Sequence, residues 1–436
     1  MPDTSFIQES RKQWSSEPAF VFSMTAAAVG LGNLWRFPYI LGENGGGAFI
    51  IAYLIALAVI VFPIMMLEVA AGRLAQGSAV HTYRQVNRFG TIYGWFVVLI
   101  TTAITSYYLV ITGWTLGYAV DAVRGDLRVF SVFSSGYNSF WYFVVVTLAA
   151  GAVLIKGVGA IEKLSKILIP FLIGIMIFLV VVASSTQGWD ETKAFFFQAD
   201  LGRLKETKLW AFAFGQAFYT LAIGQGYLVT YGSYIPKKTH VPRACLIVAG
   251  TELSVALLAG WMIFPFLFSL GMQPDAGSQL AFSVLPTVFD NLPGGAWLAI
   301  LFFVLFFIAA FSSSIAGLKV IIAAVAEEFK ISDKKAVAGV IFLMLILGTA
   351  SAMSFTPLQL NISGEPVLDV IDRIAGTQVI IVSGVLGAAL FCWFIPPFRV
   401  RAALGVKSRW WEWRIYLIGR YLPFILIGWI LFTLIF

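Results

Sequence analysis

The sequence predicts an all-α integral membrane protein of about 11 transmembrane helices, arranged as two inverted five-helix repeats with broken helices 1 and 6. Three observations lead there. The 436 residues are 59% hydrophobic and only 12% charged, against roughly 45–50% and about 25% in a soluble domain, which leaves too little polar surface for a water-soluble fold. Apolar runs near the length needed to cross a bilayer, about 20 residues, recur along the whole chain. Two of these runs, five spans apart, carry glycine pairs: Gly30-Leu31-Gly32 and Gly224-Gln225-Gly226.

The runs fall at 19–42, 48–72, 92–120, 140–155, 164–184, 208–234, 244–271, 297–327, 336–353, 374–396 and 415–436. A polar, acid-containing opening without a short apolar core precedes the first, so that run is expected to stay as a span rather than leave with a signal peptide. Most of the 29 Lys and Arg, including Arg73, Arg84, Arg88, Lys238 and Arg399, fall in segments that an inward N-terminus puts inside; Arg124, Arg128, Lys193, Arg203, Lys205, Lys208 and Arg373 fall outside. The asymmetry predicts a multi-pass protein of the cell (inner) membrane with a cytoplasmic N-terminus and an outer C-terminus. One transmembrane domain is expected over 1–436, with repeats at about 19–185 and 207–396 and an extra helix at about 415–436. An odd number of helices per repeat makes the second copy enter from the opposite side, the plan of secondary transporters. Close helix packing at small residues is the other reading of the glycines.

Composition also excludes classes. Two cysteines, Cys245 and Cys392, cannot build a disulfide scaffold or a four-cysteine metal site. A net charge of +7 is dispersed over short loops, unlike a nucleic-acid-binding face. His81 and His240 are the only histidines and both fall in inner loops, so an intramembrane Ser–His enzyme is not expected. No HExxH or GxxxxGK[ST] motif occurs, and no organic cofactor is expected.

Several polar groups sit where lipid should forbid them. Val29-Gly30-Leu31-Gly32-Asn33-Leu34-Trp35-Arg36-Phe37-Pro38 puts glycines, an amide, a guanidinium and a proline inside one span, and broken backbone is tolerated only where it faces protein or a polar cavity. Freed carbonyls there can bind a cation, and freed amides a carboxylate. In the eighth span Ala309, Ser312, Ser313 and Gly317 share one helical face; such hydroxyls can ligate a hard cation or bond their own helix. Glu252 is the only charge in 244–271, and a charge at that depth faces the interior with a partner. Glu68, near the end of span two, can cap amides of a broken helix.

Trp14, Val29-Gly-Leu-Gly-Asn33, Arg36-Phe-Pro38 and Glu43-Asn-Gly-Gly-Gly-Ala-Phe49 resemble the signature of the neurotransmitter:sodium symporter family. The resemblance continues through Tyr107-Tyr108, Trp114 to Gly117, Gln216 to Tyr234, Ala309 to Glu328 and Leu368 to Asp372, nearly the whole chain. It implies the inverted-repeat fold of the family's bacterial leucine transporter and sodium-coupled uptake of a neutral amino acid, with one or two Na+ ions as partners. An ion channel or substrate sensor on the same fold is the alternative.

By this resemblance one sodium would rest on the carbonyls of Ala26, Val29 and Ala309 and the hydroxyls of Ser312 and Ser313. The other would use the Ala28 carbonyl, Asn33, Thr220 and Glu252, the last a departure from the family's usual Asn. A substrate carboxylate would rest on the amides of Leu31 and Gly32 and on Tyr108. Gly30, where amine carriers resemble one another in having Asp, points to an amino acid. The side-chain space would be bounded by Ala27, Ile104, Tyr219, Ala222, Ile223, Gln225, Ser313 and Gly317, sized for a medium to large neutral side chain. Tyr219 and Tyr108 would form a lid, Arg36 and Asp372 an outer gate, and Arg11 and Glu327 an inner one above Trp14. Chloride-dependent members resemble one another in using a Tyr, a Gln, a Ser or Thr and a span-seven Ser for the anion; Tyr53, Gln216 and Thr220 match, but Ala256 replaces the Ser, so chloride independence is expected, whereas an alignment shifted by two residues would put Ser254 in play.

Overall fold

The computed structural model describes residues 13–406 except 237, 275–279 and 293, together with 417–422, 424, 425 and 428. Among the described residues, seven helices are long and apolar enough to span a membrane: Gly47–Ala75, Gly90–Arg124, Val158–Ala183, Val241–Ser269, Gly295–Glu328, Asp333–Ala352 and Val367–Phe394. A further span is a bent pair, Glu17–Ala28 and Gly32–Glu43, meeting at 51°. The fourth expected run is the shorter apolar helix Asn138–Leu154. The sixth is two pieces, Thr207–Thr220 and Tyr227–Gly232. Most of the eleventh run, 415–436, lies outside the described residues.

Helix ends run past the apolar windows because polar residues continue the backbone hydrogen bonding into water; the third span covers Gly90–Arg124 rather than 92–120. Further elements were not expected, among them the connecting helices Ala79–Val86, Trp189–Phe197, Leu285–Asp290 and Pro397–Leu404, and the antiparallel pair Asn361–Ile362 with Glu365–Pro366. Apolar residues in the outer loop explain the helix at Trp189: Phe195 packs on Phe264, and Phe196 on Trp261, at ring separations of 5.1 and 4.6 Å.

Local chemistry sets the first span. Ser16 caps it, accepting from the Ala19 amide at 3.3 Å, with Pro18 in the first turn where no amide partner is needed. Its first half stops at Val29, which is extended at φ −74° and ψ 111°. That half packs on the fifth, seventh and eighth spans, while the eighth lies along the third. The sixth span stops at Thr220 and resumes at Tyr227 through three left-handed residues, Ala222, Gly224 and Gly226. Both breaks border one cavity among the first, third, sixth and eighth spans.

Candidate functional site

At the first break the amides that would close the next helical turn are diverted. Gly30 N donates to Asn33 Oδ1 at 3.1 Å, and Leu31 N to the Tyr108 hydroxyl at 2.8 Å. The carbonyls of Ala26 and Ala27 thereby lose their helical partners. Ser313 donates to Ala27 O at 3.0 Å, and Ser312 to Ala309 O at 3.0 Å. Carbonyl and hydroxyl oxygens of the first and eighth spans thus meet in a buried place, a donor set that suits a hard cation.

Glu252 is fully buried. Its carboxylate accepts from Asn33 Nδ2 at 2.7 Å and lies 3.3 and 3.4 Å from the Tyr53 hydroxyl. Tyr53 in turn is 3.2 Å from the Thr220 hydroxyl. Residues from the first, second, sixth and seventh spans therefore converge on one carboxylate. Gln216 ties the sixth span to this place by donating to Gly32 O at 2.8 Å.

The sixth break is held from behind. Gly224 N donates to Glu68 Oε1 at 2.8 Å, Ser383 donates to Gly224 O at 2.6 Å, and Thr101 donates to Gln225 O at 2.6 Å. Glu68 caps a freed amide. Thr101 and Ser383 carried no local signal, since an isolated hydroxyl in an apolar helix reads as a bond to its own turn.

The cavity is lined by Ala27, Ala28, Gly30, Gly32, Ile104, Tyr108, Tyr219, Thr220, Ala222, Gln225, Tyr227 and Ser313. Only about 20 Å³ is open to the centre of a water-sized sphere. Two expected wall residues are elsewhere. Ile223 turns toward the tenth span, where a Cβ on Gly384 would come within 2.6 Å of it. Gly317 opens no space: a Cβ there would meet the Tyr227 hydroxyl at 2.5 Å and the Thr105 hydroxyl at 2.6 Å. The sequence reading missed Tyr227, although its place two residues after Gln225 on the resumed helix was a usable signal. Gly30 is needed for space, because a Cβ would lie 2.3 Å from the Tyr108 hydroxyl.

The outer-gate residues each take another partner in this structure. Asp372 accepts from the Tyr107 hydroxyl at 2.6 Å, while Arg36 sits 4.5 Å over the Tyr219 ring and reaches Thr377 at 3.4 Å. Arg36 and Asp372 do not form a direct ion pair here, because each has a nearer partner. Glu327 accepts from Ser78 N at 2.7 Å. Trp14 donates through Nε1 to Tyr231 O at 3.0 Å and through its backbone to Tyr234 O at 2.9 Å. Arg11 lies outside the described residues.

Broken spans meeting at a buried oxygen-rich site define a membrane transporter of the ion-coupled class. The profile of the Sodium:neurotransmitter symporter family matches residues 11–139 and 137–435, and the chain belongs to that family. It is 31% identical over 410 residues to an uncharacterized sodium-dependent transporter of Haemophilus influenzae, covering 88% of this chain and 89% of that one. A similar transporter of Bacillus subtilis, YhdH, is 33% identical over 87% of each chain. The crystal structure of MhsT in complex with L-phenylalanine superposes with a TM-score of 0.88 at 32% identity, covering 97% of this chain and 99% of that one.

Proposed function

We propose that this chain imports a neutral amino acid by sodium-coupled symport with alternating access. The carrying observation is the first break: Leu31 N and Tyr108 at a cavity, with the Glu252 and Asn33 cluster on one side and Ser312 and Ser313 on the other. Sodium is held by the two oxygen sets, and the substrate carboxylate by the amides near Leu31 and Gly32. The likeness to MhsT supports an amino acid as cargo. No acid or base lies among the cavity residues that would meet the side chain, so a charged side chain would enter at high desolvation cost. The scaffold reads as two inverted repeats over about 19–185 and 207–396, with the N-terminus inside and the C-terminus outside.

Transport is chloride-independent. Glu252 takes the Tyr53 hydroxyl that chloride would otherwise use, and Ala256 brings no donor. A second anion about 4 Å from the carboxylate would be repelled by about 4 kcal/mol at an effective dielectric near 20. The test is uptake into proteoliposomes of a panel of radiolabelled amino acids, with sodium replaced by potassium and chloride by gluconate. Sodium-gradient-driven, saturable accumulation that persists in gluconate is expected. Binding without accumulation would favour a substrate sensor, unsaturable flux an ion channel, and collapse in gluconate would remove the role given to Glu252. Glu252→Gln is expected to introduce chloride stimulation.

A further inference from the structure

The floor of the cavity is polar and filled by Tyr227 where the resemblance led to an expectation of open volume at Gly317. Tyr227 and Ser313 both line the cavity, and Tyr227 turns its hydroxyl into the space beside Gly317, which the Thr105 hydroxyl also borders. Gln225 lines the same cavity and is fixed through its backbone by Thr101. These groups come from the third, sixth and eighth spans, so no single helix accounts for the arrangement. The opposite end of the cavity is already given to the backbone of Leu31 and the Tyr108 hydroxyl.

A polar floor discriminates. An apolar side chain seated on it would strip water from hydroxyls and an amide without replacing their hydrogen bonds, whereas a side chain ending in its own donor and acceptor would satisfy them. The Tyr227 ring also takes the volume that a large substrate would fill. We infer that the cargo is a neutral amino acid whose side chain ends in a hydroxyl or a carboxamide, read by Gln225 and Tyr227 where they line the cavity. The inference rests on the amino-acid reading of the site above and narrows it.

The experiment compares near-isosteric pairs on the purified full-length chain in lipid nanodiscs, by titration calorimetry in sodium with a potassium control. L-threonine is set against L-valine, and L-glutamine against L-leucine. The polar member of each pair should bind at least about ten-fold more tightly, the low end of the discrimination hydrogen-bonding sites reach. Tyr227→Phe should shrink the threonine-to-valine ratio by about ten-fold, and Gln225→Leu should reverse the order of glutamine and leucine. Valine and leucine binding the unaltered protein as tightly as their polar partners would overturn the inference and leave the amino-acid reading intact. Failure of all twenty amino acids to bind in sodium would overturn that reading as well. The ratios are internal to each variant, so a partly unfolded preparation does not mimic either result.

Discussion

The first span breaks through ordinary backbone, with Val29 extended at φ −74° and Leu31 right-handed at φ −60°, whereas the sixth turns through left-handed residues, Ala222, Gly224 and Gly226 at φ 51°, 77° and 73°. Their partners differ in the same sense. The amides freed at the first break go to Asn33 and to Tyr108, which lines the cavity. The groups freed at the sixth go to Glu68, Ser383 and Thr101 on the second, tenth and third spans, none of which lines it. One interruption borders the cavity proposed to hold cargo, and the other is bolted to the scaffold. Substitutions that disturb the backbone of the first should therefore cost binding, and those at the glycines of the sixth or at the side chains that bolt it should cost folding.

The largest expected effect is on the ion side of the first break. Replacing Ser312 and Ser313 together by Ala should lower sodium-driven uptake by at least about 100-fold, since the two hydroxyls proposed as ligands and the bond to Ala27 O are lost together. Uptake with unchanged sodium dependence would move the ion site elsewhere.

Next comes a matched pair of glycines. At Gly224 a Cβ would sit 2.4 Å from Gly384 N, on rigid backbone at positive φ, so Gly224→Ala should destabilise by about 2–4 kcal/mol and lower the melting temperature. At Gly30 the obstacle is the end of the Tyr108 side chain, which can swing. Gly30→Ala should lose less stability than Gly224→Ala and bind substrate about ten-fold more weakly, because the displaced hydroxyl is the one proposed to hold the carboxylate. Equal losses of stability would erase the contrast between the two breaks.

A smaller change is expected from Glu68→Ala, which leaves Gly224 N buried without an acceptor. A cost of about 1–3 kcal/mol in unfolding follows, with the sodium concentration for half-maximal uptake unaltered. A shift in that concentration would join the sixth break to the ion site. The smallest effect is expected at the outer gate. Asp372→Asn keeps an oxygen for Tyr107 but removes the charge facing Arg36, and should slow uptake about two- to five-fold while leaving equilibrium Kd nearly unchanged. An equal change in both would make Asp372 a binding residue.

Much of the fold was legible because lipid imposes a local rule. Every backbone polar group must be satisfied within the membrane, so span lengths, the Gly-Leu-Gly and Gly-Gln-Gly interruptions and the lone acid Glu252 stand out against apolar surroundings. The outer helix Trp189–Phe197 escaped, because its phenylalanines fold onto Phe264 and Trp261 of the seventh span rather than into lipid. Ile223 and Gly317 were assigned to the pocket wall on resemblance. The direction of Ile223 depends on left-handed residues on either side of it, and the volume at Gly317 depends on a tyrosine some 90 residues earlier.

By itself, then, the amino-acid sequence determined a membrane solvent, the positions of the breaks and the polar residues available to a site, since each follows from the cost of putting that residue in hydrocarbon. Only the tertiary structure decided which partner each polar group takes: Glu252 with Asn33 and Tyr53, Glu68 with Gly224, Tyr227 with the space beside Gly317. The physical reason is range. The energy of a break is paid within one helical turn and leaves a local pattern, whereas the bonds that satisfy it join residues such as Ser313 and Ala27, 286 positions apart, and depend on how whole helices pack.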